Sequence, residues 1–190
     1  RFERSWWSNR MPRFAGRPET PSHTPHRIAL IGFMGSGKTT VGRLVAARLG
    51  YRFLDLDVLI TENAGKSIRE IFDEDGQEAF RRIESDALYS VREMNRLVIA
   101  TGGGAPIRQE NQEFFENLAA TFYLEVSFKE FLNRTGRDHG RPLLDRSDKE
   151  LEKLFKSRVP IYRSLGQRII TDSRKPQDIA VEILKKLTAH

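Results

Sequence analysis

Between Arg27 and Leu187 the chain alternates short apolar runs with longer stretches of mixed polarity. The runs Ile28–Ile31, Tyr51–Leu54, Leu97–Ala100, Thr121–Leu124 and Arg168–Ile170 are short and bounded by polar or glycine-containing segments, which predicts strands. The intervening stretches repeat apolar positions at three- and four-residue spacing. They predict helices over Thr39–Leu49, Ser67–Asp75, Gln77–Met94, Gln109–Asn117, Phe128–Arg134, Asp148–Leu165 and Pro176–Leu187. Ser67–Glu70, Ser127–Glu130 and Ser147–Glu150 have capping-box spacing, and Pro176 suits a first helical turn. Strands alternating with helices imply crossover units, and hence an α/β fold with a parallel sheet between helices.

Residues 1–26 break this pattern. They hold Pro12, Pro18, Pro21, Pro25 and scattered arginines without a sustained period, so they are expected to be a disordered or tag-like basic extension to a single domain over 27–190. The segment lacks the apolar centre of a secretory signal and begins with Arg. A start at Met11, a trimmed transit peptide and a docking segment built on Trp6 and Trp7 are all compatible with it.

Composition narrows the function classes. No apolar run approaches the roughly 18 residues of a membrane span, so no membrane role is expected. The chain has no cysteine, which excludes disulfides, thiolate nucleophiles and cysteine-based zinc sites, and its four histidines lack metal-ligand spacing. The net charge of +6 could suggest nucleic acid, but residues 1–27 carry +4 of it. The remaining body is nearly neutral, a poor surface for a duplex.

The sharpest motif is GFMGSGKT, residues 32–39, which matches GxxxxGK[ST] and sits between a predicted strand and a predicted helix. In that context Gly35, Ser36, Gly37, Thr39 and Thr40 are expected to wrap nucleotide phosphates with backbone N–H groups at a helix N-terminus. Lys38 is expected to reach the β- and γ-phosphates, and the Thr39 hydroxyl to hold Mg²⁺. A further metal ligand is needed. The strand Leu97–Ala100 ends in Thr101 and glycine, so the candidate carboxylates are Asp55 and Asp57 after Tyr51–Leu54. Strand alternation would put both on one side, Asp55 nearer the metal and Asp57 toward an acceptor hydroxyl. The same two residues also suit the end of a strand and the cap of a following helix.

Three more stretches face the acceptor in this reading. TGGGAP, residues 101–106, ends the third strand with bare backbone at the carboxyl edge of a parallel sheet, where ligands bind. FRRIE, residues 80–84, puts Arg81 and Glu84 on one helix face. Residues 134–146, with Arg134, Arg137, Arg141 and Arg146, read as a mobile lid that closes on the transferred phosphate. Arg158 precedes Pro160, which is expected to kink the helix there and could turn the arginine inward.

From Arg27 to Leu187 these motifs, in order, resemble the shikimate kinases: GFMGSGKTT, LDLD, SIREIF, FRRIE, TGGGA, RPLL and the R-x-P-x-Y run at Arg158. The resemblance implies a nucleoside monophosphate kinase-like fold with a five-stranded parallel sheet in order 2-3-1-4-5. It implies ATP and Mg²⁺, and transfer of the γ-phosphate to the 3-hydroxyl of shikimate on the way to aromatic amino acids. It assigns Asp57, Lys38 and Arg141 to catalysis. Arg81, Arg158, Gly102, Gly103 and Gly104 would bind the acceptor, and Arg134 with Arg174–Pro176 would flank the adenine. A monomer in the cytoplasm, or alternatively a plastid form, is expected. A gluconate or nucleotide kinase is the nearest rival. A GTPase-like switch is disfavoured by the lack of an N-K-x-D run.

Overall fold

A computed structural model describes residues 25–118, 120–135 and 147–188. The described chain runs β1 (Arg27–Ile31), α1 (Lys38–Leu49), β2 (Arg52–Asp55), α2 (Leu56–Ala64), α3 (Ile68–Ser90), β3 (Leu97–Ala100), a 3₁₀ turn (Ala105–Ile107), α4 (Gln109–Glu116), β4 (Ala120–Glu125), α5 (Phe128–Thr135), α6 (Asp148–Leu165), β5 (Gln167–Ile170) and α7 (Pro176–Thr188). All pairings are parallel and the order is β2-β3-β1-β4-β5, as the resemblance implied.

Alternation along the strands divides the core in two. Ile28, Leu30, Val98, Phe122, Leu124 and Ile169 point to one face, where Val41 and Val45 of α1 and Ile179 and Ile183 of α7 cover them. Ala29, Ile31, Leu97, Ile99 and Tyr123 point to the other and meet α2 to α6. The central strands are therefore buried on both sides, as their continuous apolar runs require.

One predicted element shifts and one unpredicted element appears. The second strand lies one residue later than Tyr51–Leu54, and α2 follows it where no helix is predicted. The stretch is short, and its β-branched Val58, Ile60 and Thr61 have weak helix propensity. What makes the helix is its ends: Asp55 caps it by accepting from Asp57 N at 3.1 Å, and Gly65 closes it at φ 66°. Asp57 thus stands in the first helical turn rather than on the strand.

The two helices expected around Gly76 are the halves of α3, divided where that glycine adopts φ 83° and ψ 168°. Ser67 and Ser147 each form both bonds of a capping box, while the Ser127 hydroxyl accepts from Glu130 N. Residues 1–24 and 136–146, the latter holding Arg137, Arg141, Arg146 and the RPLL run, lie outside the described residues. Ser67→Ala removes one box bond at the start of α3 and should cost about 1 kcal/mol of stability. A urea midpoint indistinguishable from wild type would contradict that cap.

Candidate active site

The loop after β1 bends through Gly32, Gly35 and Gly37, at φ 141°, 72° and 92°, before α1 begins. A side chain at Gly32 would put its Cβ 2.6 Å from the Leu124 carbonyl oxygen, so the first glycine answers a close approach to β4. Helix α1 has no side-chain cap and no acid in its first turn, leaving its N-terminal end suited to an anion. Lys38 Nζ folds back to the carbonyls of Gly32 and Phe33, at 2.9 and 2.8 Å.

A cavity of about 420 Å³ opens beside this loop. Gly35, Ser36, Gly37 and Thr40 line one side and Arg134, Arg174 and Pro176 the other. The sequence-predicted phosphate and adenine residues therefore share one space, of a size suited to a small-molecule ligand. Both arginines are held: Arg134 by Glu130 at 2.8 Å and by the Thr171 carbonyl at 2.7 Å, Arg174 by Glu182 at 2.6 Å. Glu130, Val41 and Ile179 also line the cavity, and sequence reasoning did not single them out. Their only signal was membership of the helices that flank the loop.

Thr39 and Asp55 meet at the mouth of the loop, the Thr39 hydroxyl donating to Asp55 Oδ2 at 2.6 Å. This pair of hard oxygen donors fits Mg²⁺, which takes few protein ligands and keeps several waters. Among the described residues no group of three or more His, Cys, Asp or Glu could hold a metal, so a cage built from protein alone is not part of the described site.

The glycine triplet lies across the strand edge from the loop. A Cβ on Gly103 would stand 3.4 Å from the Gly32 carbonyl oxygen, so the two motifs adjoin. Each glycine faces a different functional side chain. A Cβ on Gly102 would stand 2.5 Å from Glu84 Oε1 and 2.8 Å from Asp57 Oδ1, and one on Gly103 3.7 Å from Arg158 Nη1. At Gly104 it would overlap the Arg81 guanidinium. Glycine is needed at 102 and 104 for close approach, since Glu84, Asp57 and Arg81 occupy the room a methyl would take there, whereas at Gly103 the neighbours stand at ordinary contact distance. Asn111, fully buried on α4, pins the turn that follows by donating to the Ala105 carbonyl at 2.9 Å.

Arg81 and Glu84, one turn apart on α3, pair at 2.6 Å with side-chain exposures of 11% and 1%. Their spacing was legible; their burial, which turns a surface ion pair into part of the site, was not. Burial raises the Glu84 carboxyl above its ordinary value, and the neighbouring Asp57 adds to this, against the opposing charge and hydrogen bond of Arg81. Arg158 is buried on α6 as its predicted inward turn requires, and that helix continues through Pro160. Burial lowers the Arg158 guanidinium below its ordinary value, an effect that the charge of Arg81 reinforces and that Tyr162 and Glu84 oppose. Two guanidinium groups thus converge on bare backbone beside a carboxylate, Asp57, within reach of the phosphate loop.

A loop of this kind under a parallel sheet, beside a glycine run on which two arginines converge, defines a small-molecule kinase of the P-loop class. The shikimate kinase family model matches residues 34–188. The shikimate kinase of Marinomonas sp. (strain MWYL1) is 42% identical over 168 residues, covering 86% of this chain and 92% of that protein. That of Moorella thermoacetica is 41% identical, covering 87% and 96%. Among solved structures, shikimate kinase from Acinetobacter baumannii in complex with shikimate has a TM-score of 0.84 at 38% identity, covering 88% of this chain and 95% of that one. A deoxyadenosine kinase from M. mycoides, 20% identical with a TM-score of 0.57, shares the fold alone over 86% of this chain and 98% of its own. The chain belongs to the shikimate kinase family.

The raised Glu84 carboxyl has a consequence for stability. Its folded value lies above its unfolded value, so its favourable contribution is full below about pH 4.3 and fades as the pH rises through the folded value. The stability of wild type relative to Glu84→Gln should therefore fall as pH rises from about 4. Urea midpoints across the acid range would check this, and a difference that stays constant or grows would contradict it.

Proposed function

We propose that the chain transfers the γ-phosphate of ATP to the 3-hydroxyl of shikimate, giving shikimate 3-phosphate in aromatic amino acid biosynthesis. The observation that carries this reading is the glycine triplet set between Asp57 on one side and, on the other, the buried Arg158 and the largely covered Arg81, against the phosphate loop. Membership of the shikimate kinase family and the 38% identity to the shikimate kinase from Acinetobacter baumannii in complex with shikimate support it.

Each residue then has a task. Gly35, Ser36, Gly37 and Thr40 hold phosphates in the cavity, with Arg134, Arg174 and Pro176 flanking the base. Lys38 turns from the loop carbonyls toward the β- and γ-phosphates. Thr39 and Asp55 hold the Mg²⁺, which offsets phosphoryl charge when bound. Arg81 and Arg158 grip the acceptor carboxylate, a pairing that selects an acid over a neutral sugar. The backbone of Gly102, Gly103 and Gly104 forms the floor beneath the ring. Asp57 orients the attacked hydroxyl and accepts its proton. Arg141, outside the described residues, is assigned to the transferred phosphate from the family motif.

Both half-sites come from one chain, and a monomer is proposed. No described helix is long and apolar enough to cross a membrane. The curated relatives are bacterial, which supports the cytoplasm over a plastid. A near-neutral body gives no reason to expect nucleic acid.

ADP release with Mg²⁺-ATP and shikimate, quinate, gluconate or AMP tests the reading. Turnover with shikimate alone is expected; turnover with AMP or gluconate in its place would overturn the acceptor assignment. Asp57→Asn should lower kcat by about 10²- to 10⁴-fold with little change in nucleotide KM. Near-wild-type kcat in that variant would remove Asp57 from proton transfer.

A further inference from the structure

Tyr162 ends the R-x-P-x-Y run, and the reaction as described gives it nothing to do. It is fully buried on α6, about one turn beyond Arg158, with its ring tilted against Tyr123 of β4 at 5.3 Å between centroids. Its hydroxyl donates to the Gly103 carbonyl at 2.5 Å. Arg158 Nη1 donates to the same oxygen at 3.4 Å, and Arg158 Nε has no hydrogen-bond partner among the described residues. Two donors therefore share one acceptor, and the phenol holds the short bond. A Cβ on Gly103 would stand 3.5 Å from the phenol oxygen and 3.7 Å from Arg158 Nη1, so both side chains wall the same glycine. Burial pushes the phenol up to about 12, which keeps it a neutral donor at physiological pH.

We propose that Tyr162 is a positioning residue for the acceptor, which it never touches. By taking the short bond to the Gly103 carbonyl it fixes the middle of the glycine floor and leaves Arg158 only the longer 3.4 Å contact there, so that the guanidinium can turn to the acceptor carboxylate. Without the hydroxyl, that carbonyl has Arg158 as its remaining donor, and a buried carbonyl left short of a partner is costly. The guanidinium is then drawn toward the backbone and away from the acid it should bind. This rests on the reading of Arg158 as a carboxylate ligand.

Tyr162→Phe tests it, because the ring and its packing against Tyr123 remain. The acceptor KM should rise about tenfold, the scale of one hydrogen bond in a charged site, with kcat and nucleotide KM within about threefold of wild type. Tyr123→Phe, an equally buried neighbour, should leave the acceptor KM unchanged. In an Arg158→Ala background Tyr162→Phe should add no further rise, since the two act through one contact. An unchanged acceptor KM in Tyr162→Phe, a full additional rise in the double variant, or an equal rise in nucleotide KM would each overturn the proposal. If Arg158→Ala alone left the acceptor KM unchanged, the carboxylate assignment would fall and take this proposal with it. If Arg158→Ala were defective and Tyr162→Phe silent, this proposal alone would fail.

Discussion

The buried pair of Arg81 and Glu84 is the interaction on which the acceptor half of the site depends. Placing an ion pair where its carboxylate is 1% exposed costs several kcal/mol of desolvation, and replacing such pairs with apolar residues is often neutral or better for stability. The pair is therefore better understood as a device that aims a guanidinium than as a source of stability. Glu84 fixes Arg81 at 2.6 Å, and the glycine at 104 leaves the room that the guanidinium fills. Neither residue works without the other: a side chain on the glycine would displace the arginine, and a free arginine would not converge with Arg158.

Strand order converts these local contacts into a site for two substrates. With β3 and β1 adjacent, the glycine triplet and the phosphate loop leave the same edge of the sheet side by side, and β2 brings Asp55 and Asp57 to that edge from the far side of β3. Ligands bind at the carboxyl ends of strands in such sheets because the connections there diverge and leave backbone groups unpaired. The nucleotide cavity opens toward β4 and β5, where Arg134 and Arg174 are held by their own carboxylates. The glycine triplet lies on the other side, against side chains of α2, α3 and α6. Phe33 joins them: its carbonyl accepts from Lys38, while its buried ring lies 5.8 Å from the Arg158 guanidinium carbon.

Much of this was legible in the sequence, for identifiable reasons. Three short, mostly apolar runs mark strands buried on both faces, and the phosphate-loop motif carries its own geometry in its glycines. FRRIE disclosed a pair by its spacing. What could not be read was depth. Nothing in the spacing of Arg81 and Glu84 distinguishes a solvated pair from one under a glycine floor, because burial is set by α4, α6 and β3, which are distant in sequence. Helix α2 was not placed because it is short and its β-branched Val58, Ile60 and Thr61 have weak helix propensity, although Asp55 and Asp57 suited the cap of a following helix. Tyr162 looked like an ordinary core aromatic, and only the three-dimensional path of Gly103 shows which carbonyl its hydroxyl meets.

The central claim is that Arg81 and Arg158 together select a carboxylate-bearing alcohol at the glycine floor. Calorimetric titration of the full chain with shikimate, and with the analogue whose carboxylate is reduced to a hydroxymethyl group, tests it without relying on turnover. Losing a charge-assisted bidentate contact should weaken the analogue by at least about tenfold, the scale of hydrogen bonds to charged groups. Binding of both compounds with equal affinity would show that the arginines face something other than the acceptor, and the account of the site would be wrong.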